Sequence, residues 1–319
     1  MDVTRRSVLA SGAVAAAGGA ASAQQAAPAR EKGPLVWMNM DQKELDDAYD
    51  QSVYAPNQPQ IGKRRNANSA MVWKRLGEPK RFAYGPTSIE GLDVWTTPKT
   101  NAPVQVFIHG GAWRFGLAKE HCYAAELYTN AGAHYVVVDF INVDQAGGDL
   151  MPMAEQVRRA ITWVGKNAAS FGGDPNRIYV SGHSSGAHLA GATLVADWAT
   201  FGAPSNIVKG AVLCSGMYDL KPARLSKRGA YVKFSDAMED ALSTQRHLAR
   251  INCPVVLAYG TYETPEFQRQ SRDFAAALKA AGKPVTLLVG EGYNHFEMAE
   301  MIGNPLSLLG AAMLEQMKL

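Results

Sequence analysis

The chain is poor in the features that mark several functional classes. Its 319 residues contain three cysteines, Cys122, Cys214 and Cys253, with no metal-ligand spacing between them. Cys214 and Cys253 stand in apolar runs and read as buried thiols. No set of histidines and carboxylates has zinc spacing and no glycine loop is built to cradle phosphate, so neither a metal nor a cofactor is expected. Charge of one sign is scarce: 32 Lys and Arg against 29 Asp and Glu leave a net charge of +3. No basic run is interleaved with aromatics, which argues against a nucleic-acid partner. No apolar stretch is long enough to span a bilayer, so stable membrane insertion is not expected. There is no internal repeat, and nothing in the sequence fixes an oligomeric state. What is present is 47% hydrophobic residues with 19% charged ones, enough to bury a substantial core.

Residues 1–23 read as a leader. Thr4-Arg5-Arg6-Ser7-Val8-Leu9 places paired arginines before a mildly apolar stretch rich in Ala and Gly, and Ala21-Ser22-Ala23 is a small-x-small cleavage site. This resembles a twin-arginine signal, which predicts a periplasmic or secreted protein. Residues 24–80 read as a linker and a helical segment. Asp41 offers N-cap chemistry for a short helix, 52–65 with Pro56 and Pro59 reads as irregular, and a second helix is expected over 68–76. Residues 81–319 read as the catalytic domain. Two opening antiparallel strands, 81–84 and 92–96, are followed by strands at 104–108, 135–140, 178–180, 208–215, 254–259 and 284–289. Helices at 119–131, 153–168, after 184, at 265–281 and within 296–317 alternate with them. That alternation predicts an α/β fold with a mostly parallel sheet covered on both faces.

The chemistry gathers at the carboxyl ends of those strands, where the connecting loops converge. Gly182-His183-Ser184-Ser185-Gly186 follows a strand and opens a helix, the context of a nucleophile elbow, with Ser184 as the nucleophile. His109-Gly110-Gly111-Ala112-Trp113 follows another strand. Backbone N–H groups of Gly110 and Gly111, together with Ser185 N–H, would form an oxyanion hole. A serine needs an imidazole to take its proton, and the imidazole needs a carboxylate to hold its tautomer. His295, the only histidine after position 247, is the expected base. Glu263 at a strand end is the expected acid, in the chain order Ser, acid, His. Asp219 is the rival acid, and Glu266 reads as a helix N-terminal carboxylate. Trp113, His183 and Tyr54 are expected at the substrate. His183 and His188 flank the elbow and pack or hydrogen-bond there, His109 braces its own loop, and His121, His134 and His247 read as peripheral. Asp144 and Asp149 lie in a polar loop.

Taken together, HGGAW, GHSSG, Glu263-Thr264-Pro265-Glu266-Phe267, Asn294-His295-Phe296 and Leu45-Asp46-Asp47-Ala48-Tyr49 resemble the α/β-hydrolase superfamily, and within it the kynurenine formamidase-like and carboxylesterase branch. The resemblance spans roughly residues 37–317. Where that branch usually carries Asp as the acid, this chain has Glu263. The resemblance implies attack of Ser184 on a formyl or acyl carbonyl, and an early helix near Tyr49 with the loop through Tyr54 lying over the pocket as a small lid. The expected partner is a small ester or amide, and the expected activity is carboxylesterase or arylesterase. The alternatives are arylformamidase or aryl-amide hydrolysis, and a feruloyl or acetyl polysaccharide esterase. A non-catalytic binding module is disfavoured because all three triad positions are filled, and a haloalkane dehalogenase because its elbow nucleophile is a carboxylate. Export favours a scavenging esterase or amidase over the cytoplasmic breakdown of kynurenine.

Overall fold

The computed structural model describes residues 30–319, and residues 34–319 form one compact unit. The leader expected over 1–23 lies outside the described residues. A small antiparallel hairpin, β1 (Leu35–Trp37) and β2 (Met40–Asp41), leads into helix α1 (Gln42–Ala48). Asp41 caps α1 as expected, accepting from Glu44 N while Glu44 answers to Asp41 N. Helix α2 (Gln58–Leu76) then begins ten residues before the expected start at 68. The prolines suggested irregular chain, but Pro59 falls in the first turn, where its missing N–H has no carbonyl to meet.

The main sheet begins with β3 (Lys80–Ala83), β4 (Gly91–Trp95), β5 (Ala102–Ile108) and, after the short helix α3 (Ala125–Ala131), β6 (His134–Val138). Helix α4 (Met151–Asn167) leads to β7 (Gly173–His183), and helix α5 (Ser185–Leu194) to β8 (Val208–Cys214). Two short helices that the sequence reading did not assign, α6 (Lys221–Leu225) and α7 (Asp236–Leu242), precede β9 (Val255–Gly260). Helix α8 (Pro265–Ala280), β10 (Val285–Gly290), α9 (His295–Glu300) and α10 (Leu308–Met317) complete the chain. The expected helix at 119–131 is helical only from Ala125, with two 3-10 turns before it. The closing helix is two helices, separated at Asn304-Pro305.

Eight strands pair in the order β10-β9-β8-β7-β5-β6-β4-β3. The six from β10 to β6 run parallel and the β4–β3 edge is antiparallel. Side chains alternate across the sheet, so Val104, Val106 and Ile108 of β5 enter one core while Phe107 enters the other. Strand β5 has β6 on one side and β7 on the other, so the chain order reverses there. Loops leaving β5 and β7 diverge over the sheet edge and open a crevice between them, the usual ligand position in such sheets.

Candidate active site

Ser184 sits in that crevice, between the last residue of β7 and the first of α5, with φ 59° and ψ −127°. A serine held at positive φ costs about 1–3 kcal/mol, so the surroundings must fix it there. Its N–H donates to Cys214 O at 2.9 Å. A Cβ on Gly182 would strike the Gly186 carbonyl, and one on Gly186 would strike the carbonyl oxygens of Ile108 and His109. Strand β5 therefore passes against the turn too closely for any other residue type.

His295 is the first residue of α9, and its Nδ1 lies 2.8 Å from Glu263 Oε2. The other oxygen, Oε1, accepts from Ser215 Oγ at 2.5 Å and from Gly260 N at 2.8 Å. Both residues are almost fully buried. A carboxylate only accepts, so this contact places the ring proton on Nδ1 and leaves Nε2 as the basic nitrogen. Ser215, unassigned from sequence, holds positive φ (56°) at the end of β8 and turns its hydroxyl onto Glu263. The rival acid, Asp219, is engaged elsewhere: its Oδ1 accepts from Arg246 Nη2 at 2.8 Å and from Lys221 N at 3.1 Å. Glu266 stands in the first turn of α8 and pairs with Arg269 through both oxygens, at 2.6 and 2.9 Å.

The loop after β5 is equally constrained. Gly111, Ala112 and Trp113 follow one another at φ 122°, 55° and 64°. Trp113 N donates to Ser185 Oγ at 3.1 Å, and its indole Nε1 donates to His188 Nδ1 at 3.1 Å. His188 Nε2 in turn donates to Leu242 O at 3.1 Å. Burial pushes the His188 pKa down to about 3, so the ring is neutral, as one accepting and one donating nitrogen require. Loop and elbow helix are thus fastened to each other. His109 also braces this loop, with Nδ1 donating to Gly110 O at 3.0 Å and its ring stacked on Phe140.

Ser184, His295, Gly110 and Gly111 line one cavity of about 590 Å³. A serine at a strand–helix turn, an imidazole on a buried carboxylate and a glycine loop beside both are the parts of an acyl-transfer site. Comparisons with known proteins address the family. Residues 92–200 match the BD-FAE family model. A kynurenine formamidase of Salmo salar is 33% identical over 228 residues, covering 69% of this chain and 75% of that one. A kynurenine formamidase of Danio rerio is 29% identical over 294 residues, 88% of this chain and 97% of the relative. A thermophilic esterase of Thermogutta terrifontis shares the fold, with a TM-score of 0.60 at 21% identity over 76% of this chain and 90% of the other. The chain belongs to the kynurenine formamidase and esterase-like α/β-hydrolases.

As such it is a hydrolase of esters or amides. The walls of this hydrolase's cavity differ from the sequence reading in three places. Trp113 is not at the cavity: its indole is buried at 2% exposure and turned back onto His188, because the left-handed backbone at 113 points the side chain inward. Tyr54 is not there either: the residue is 39% exposed and is not part of the cavity lining. Tyr49, Asp50, Gln51 and Ser52 from the same segment form that wall instead. His121, read as peripheral, is buried and lines the cavity beside Tyr123, and His134 is wholly buried. His183 does line the cavity, and it also holds His295. Its Nε2 donates to His295 O at 2.8 Å, and burial together with the neighbouring His295 ring holds its pKa well below the usual imidazole range. Asp144, expected in a polar loop, pairs with Arg114, whose side chain reaches the cavity. All three cysteines are buried and free, and burial pushes the Cys253 thiol up to about 12.

Proposed function

We propose that the protein is a serine hydrolase that cleaves small aromatic carboxylic esters or amides through an acyl-enzyme on Ser184. In this reading Ser184 Oγ forms a bond to the substrate carbonyl carbon as its proton passes to His295 Nε2. The N–H groups of Gly110 or Gly111 and of Ser185 hold the oxyanion, a donor set in which each member is worth about 10²- to 10³-fold in rate. Collapse of the intermediate breaks the bond to the leaving alcohol or amine, which takes the proton from His295. Water then repeats the sequence on the acyl-enzyme, giving up its proton to His295 and releasing the carboxylic acid with Ser184 restored. Glu263 orients the ring and stabilises imidazolium.

One observation carries the reading: His295, held by the buried Glu263, lines the same cavity as the strained Ser184. The aromatic preference draws on Phe107, Tyr123, Phe115 and Phe296 in the cavity wall. A second reading, hydrolysis of aryl formamides, is favoured by the kynurenine formamidases named above. The leader motif in 1–23 supports export to the periplasm, which cell fractionation tests: the reading requires a periplasmic product shortened by its leader. Ser184→Ala tests the mechanism. It is expected to remove turnover of p-nitrophenyl acetate to the solution background with the circular dichroism spectrum unchanged. Retained turnover would rule the serine out.

A further inference from the structure

Tyr123, in the 3-10 turn Cys122–Ala124, belongs to the walls of two cavities. One is the catalytic cavity; the other is a second space of about 580 Å³. Among the described residues no other lines both. The contacts of its ring show how it divides them. Its hydroxyl donates to Ala299 O at 2.8 Å and its ring centre lies 6.5 Å from that of His121, and both of those residues line the catalytic cavity. The Cδ2 edge faces Gly303 in the wall of the second cavity, where a Cβ would stand 3.4 Å away. Gly303 has no side chain to fill that gap, so the ring itself is the partition there.

The second cavity is walled by α2, α3, α10 and the turn between α9 and α10. Leu127, Pro305 and Leu314 give it apolar surface, while Asn68 and Asn130 are exposed at its rim. Its two charged residues already satisfy each other, with Arg75 Nη2 2.5 Å from Glu126 Oε2. Neither ion therefore calls for a charged ligand, and what the space offers is room and apolar contact. The partition is also held shut. Tyr123 is buried, and the hydrogen bond to Ala299 fixes its ring to α9, one turn after His295.

We propose that Tyr123 is the specificity-determining residue for substrate length: its ring stops the catalytic cavity short of the second one, confines the enzyme to short esters or amides, and on removal joins the two spaces so that longer apolar chains are accepted. This rests on the hydrolase reading above and adds a size limit to it. The ring acts as a wall and takes no part in the chemistry. Each methylene that passes the former partition leaves water for the apolar surface of Leu127, Pro305 and Leu314, a gain of about fourfold in binding.

The test uses two substrate series, p-nitrophenyl esters from acetate to decanoate and acetates of straight-chain alcohols from ethanol to decanol, so that the chain is extended on either side of the scissile bond. In at least one series the wild-type kcat/KM is expected to fall by about 10-fold or more from the short to the long member. In that series Tyr123→Ala is expected to raise the long-to-short ratio of kcat/KM by about 10-fold or more, chiefly through KM. Tyr123→Phe loses the bond to Ala299 but keeps the ring, and its ratio is expected to stay within about threefold of wild type. Adding Asn130→Trp, at the exposed rim of the second cavity, to Tyr123→Ala is expected to take back most of the gain. A ratio unchanged by Tyr123→Ala in both series would overturn the proposal, as would a Tyr123→Phe variant that gains as much as Tyr123→Ala. If Tyr123→Ala fails to fold, the wild type decides together with Tyr123→Leu: no fall with chain length in either series, or no rise of the ratio in Tyr123→Leu, overturns the length limit. Turnover of the short esters by wild type but not by Ser184→Ala would leave the serine mechanism standing even where the length limit falls.

Discussion

Glu263 shows how much one carboxylate can be asked to do when its surroundings are fixed. Its three hydrogen bonds, from Ser215, Gly260 N and His295, use both oxygens and hold the imidazole at one orientation. Glu263→Gln would present an amide where an acceptor is needed and turn His295 toward the wrong tautomer, so kcat is expected to fall about 10³-fold or more. Asp219→Asn keeps an acceptor for Arg246 and Lys221 N and removes only the charge of the ion pair with Arg246, and kcat is expected within about threefold of wild type. Parallel kinetics on p-nitrophenyl acetate check both, and the larger loss at Asp219 would reassign the acid. At this scale the sequence was informative where chain order and strand ends constrain the answer. Ser184, Glu263 and His295 each follow a strand of the parallel sheet, and their order left few alternatives. Trp113 and Tyr54 were misplaced because residue type does not say which way a side chain turns. At Trp113 that is decided by three successive left-handed residues, and only the glycine among them is visible in a sequence.

The elements that carry these residues are joined at their ends rather than along their lengths. Asn294 caps α9 one residue before His295, accepting from Phe296 N and Glu297 N at 3.0 and 3.1 Å. Its amide also donates to Asn57, the residue that opens α2, and Asn57 donates to Glu297. His295 is therefore braced by a segment from early in the chain. Asn294→Ala removes a cap and its cross-link, a loss of about 1–2 kcal/mol by urea unfolding. The same change is expected to lower kcat more than it raises KM, because His295 loses its orientation while the cavity wall remains. Of these elements, the parallel strands and long helices were legible from apolar runs and 3.6-residue periodicity. The start of α2 was not, since a proline reads as a breaker unless its place in the first turn is known. The short helices α6 and α7 were missed because five- and seven-residue helices hold too few turns to show a period.

Across the whole molecule, the site is built on neutral, buried imidazoles. His109, His121, His183 and His188 all have pKa values held below the ordinary range, in each case first by burial. In the unfolded chain these rings protonate below about pH 6.5. Between that pH and the lower folded value, the unfolded state binds more protons, so stability falls as pH falls. For His188 alone, with a folded value of about 3, the loss from pH 6.5 to 5 is about 2 kcal/mol. Urea midpoints are expected to drop steadily over that window, where most carboxylates stay ionised, and a flat profile would mean the rings are not buried neutral. The proposed chemistry requires Ser184 to be the reacting group of this cavity. The most direct measurement is stoichiometric labelling with an organophosphonate followed by peptide mass mapping. One phosphonyl group on Ser184, with labelling slowed severely by His295→Ala, is the expected result; loss of activity with the label on any other residue, or labelling indifferent to His295, would contradict it.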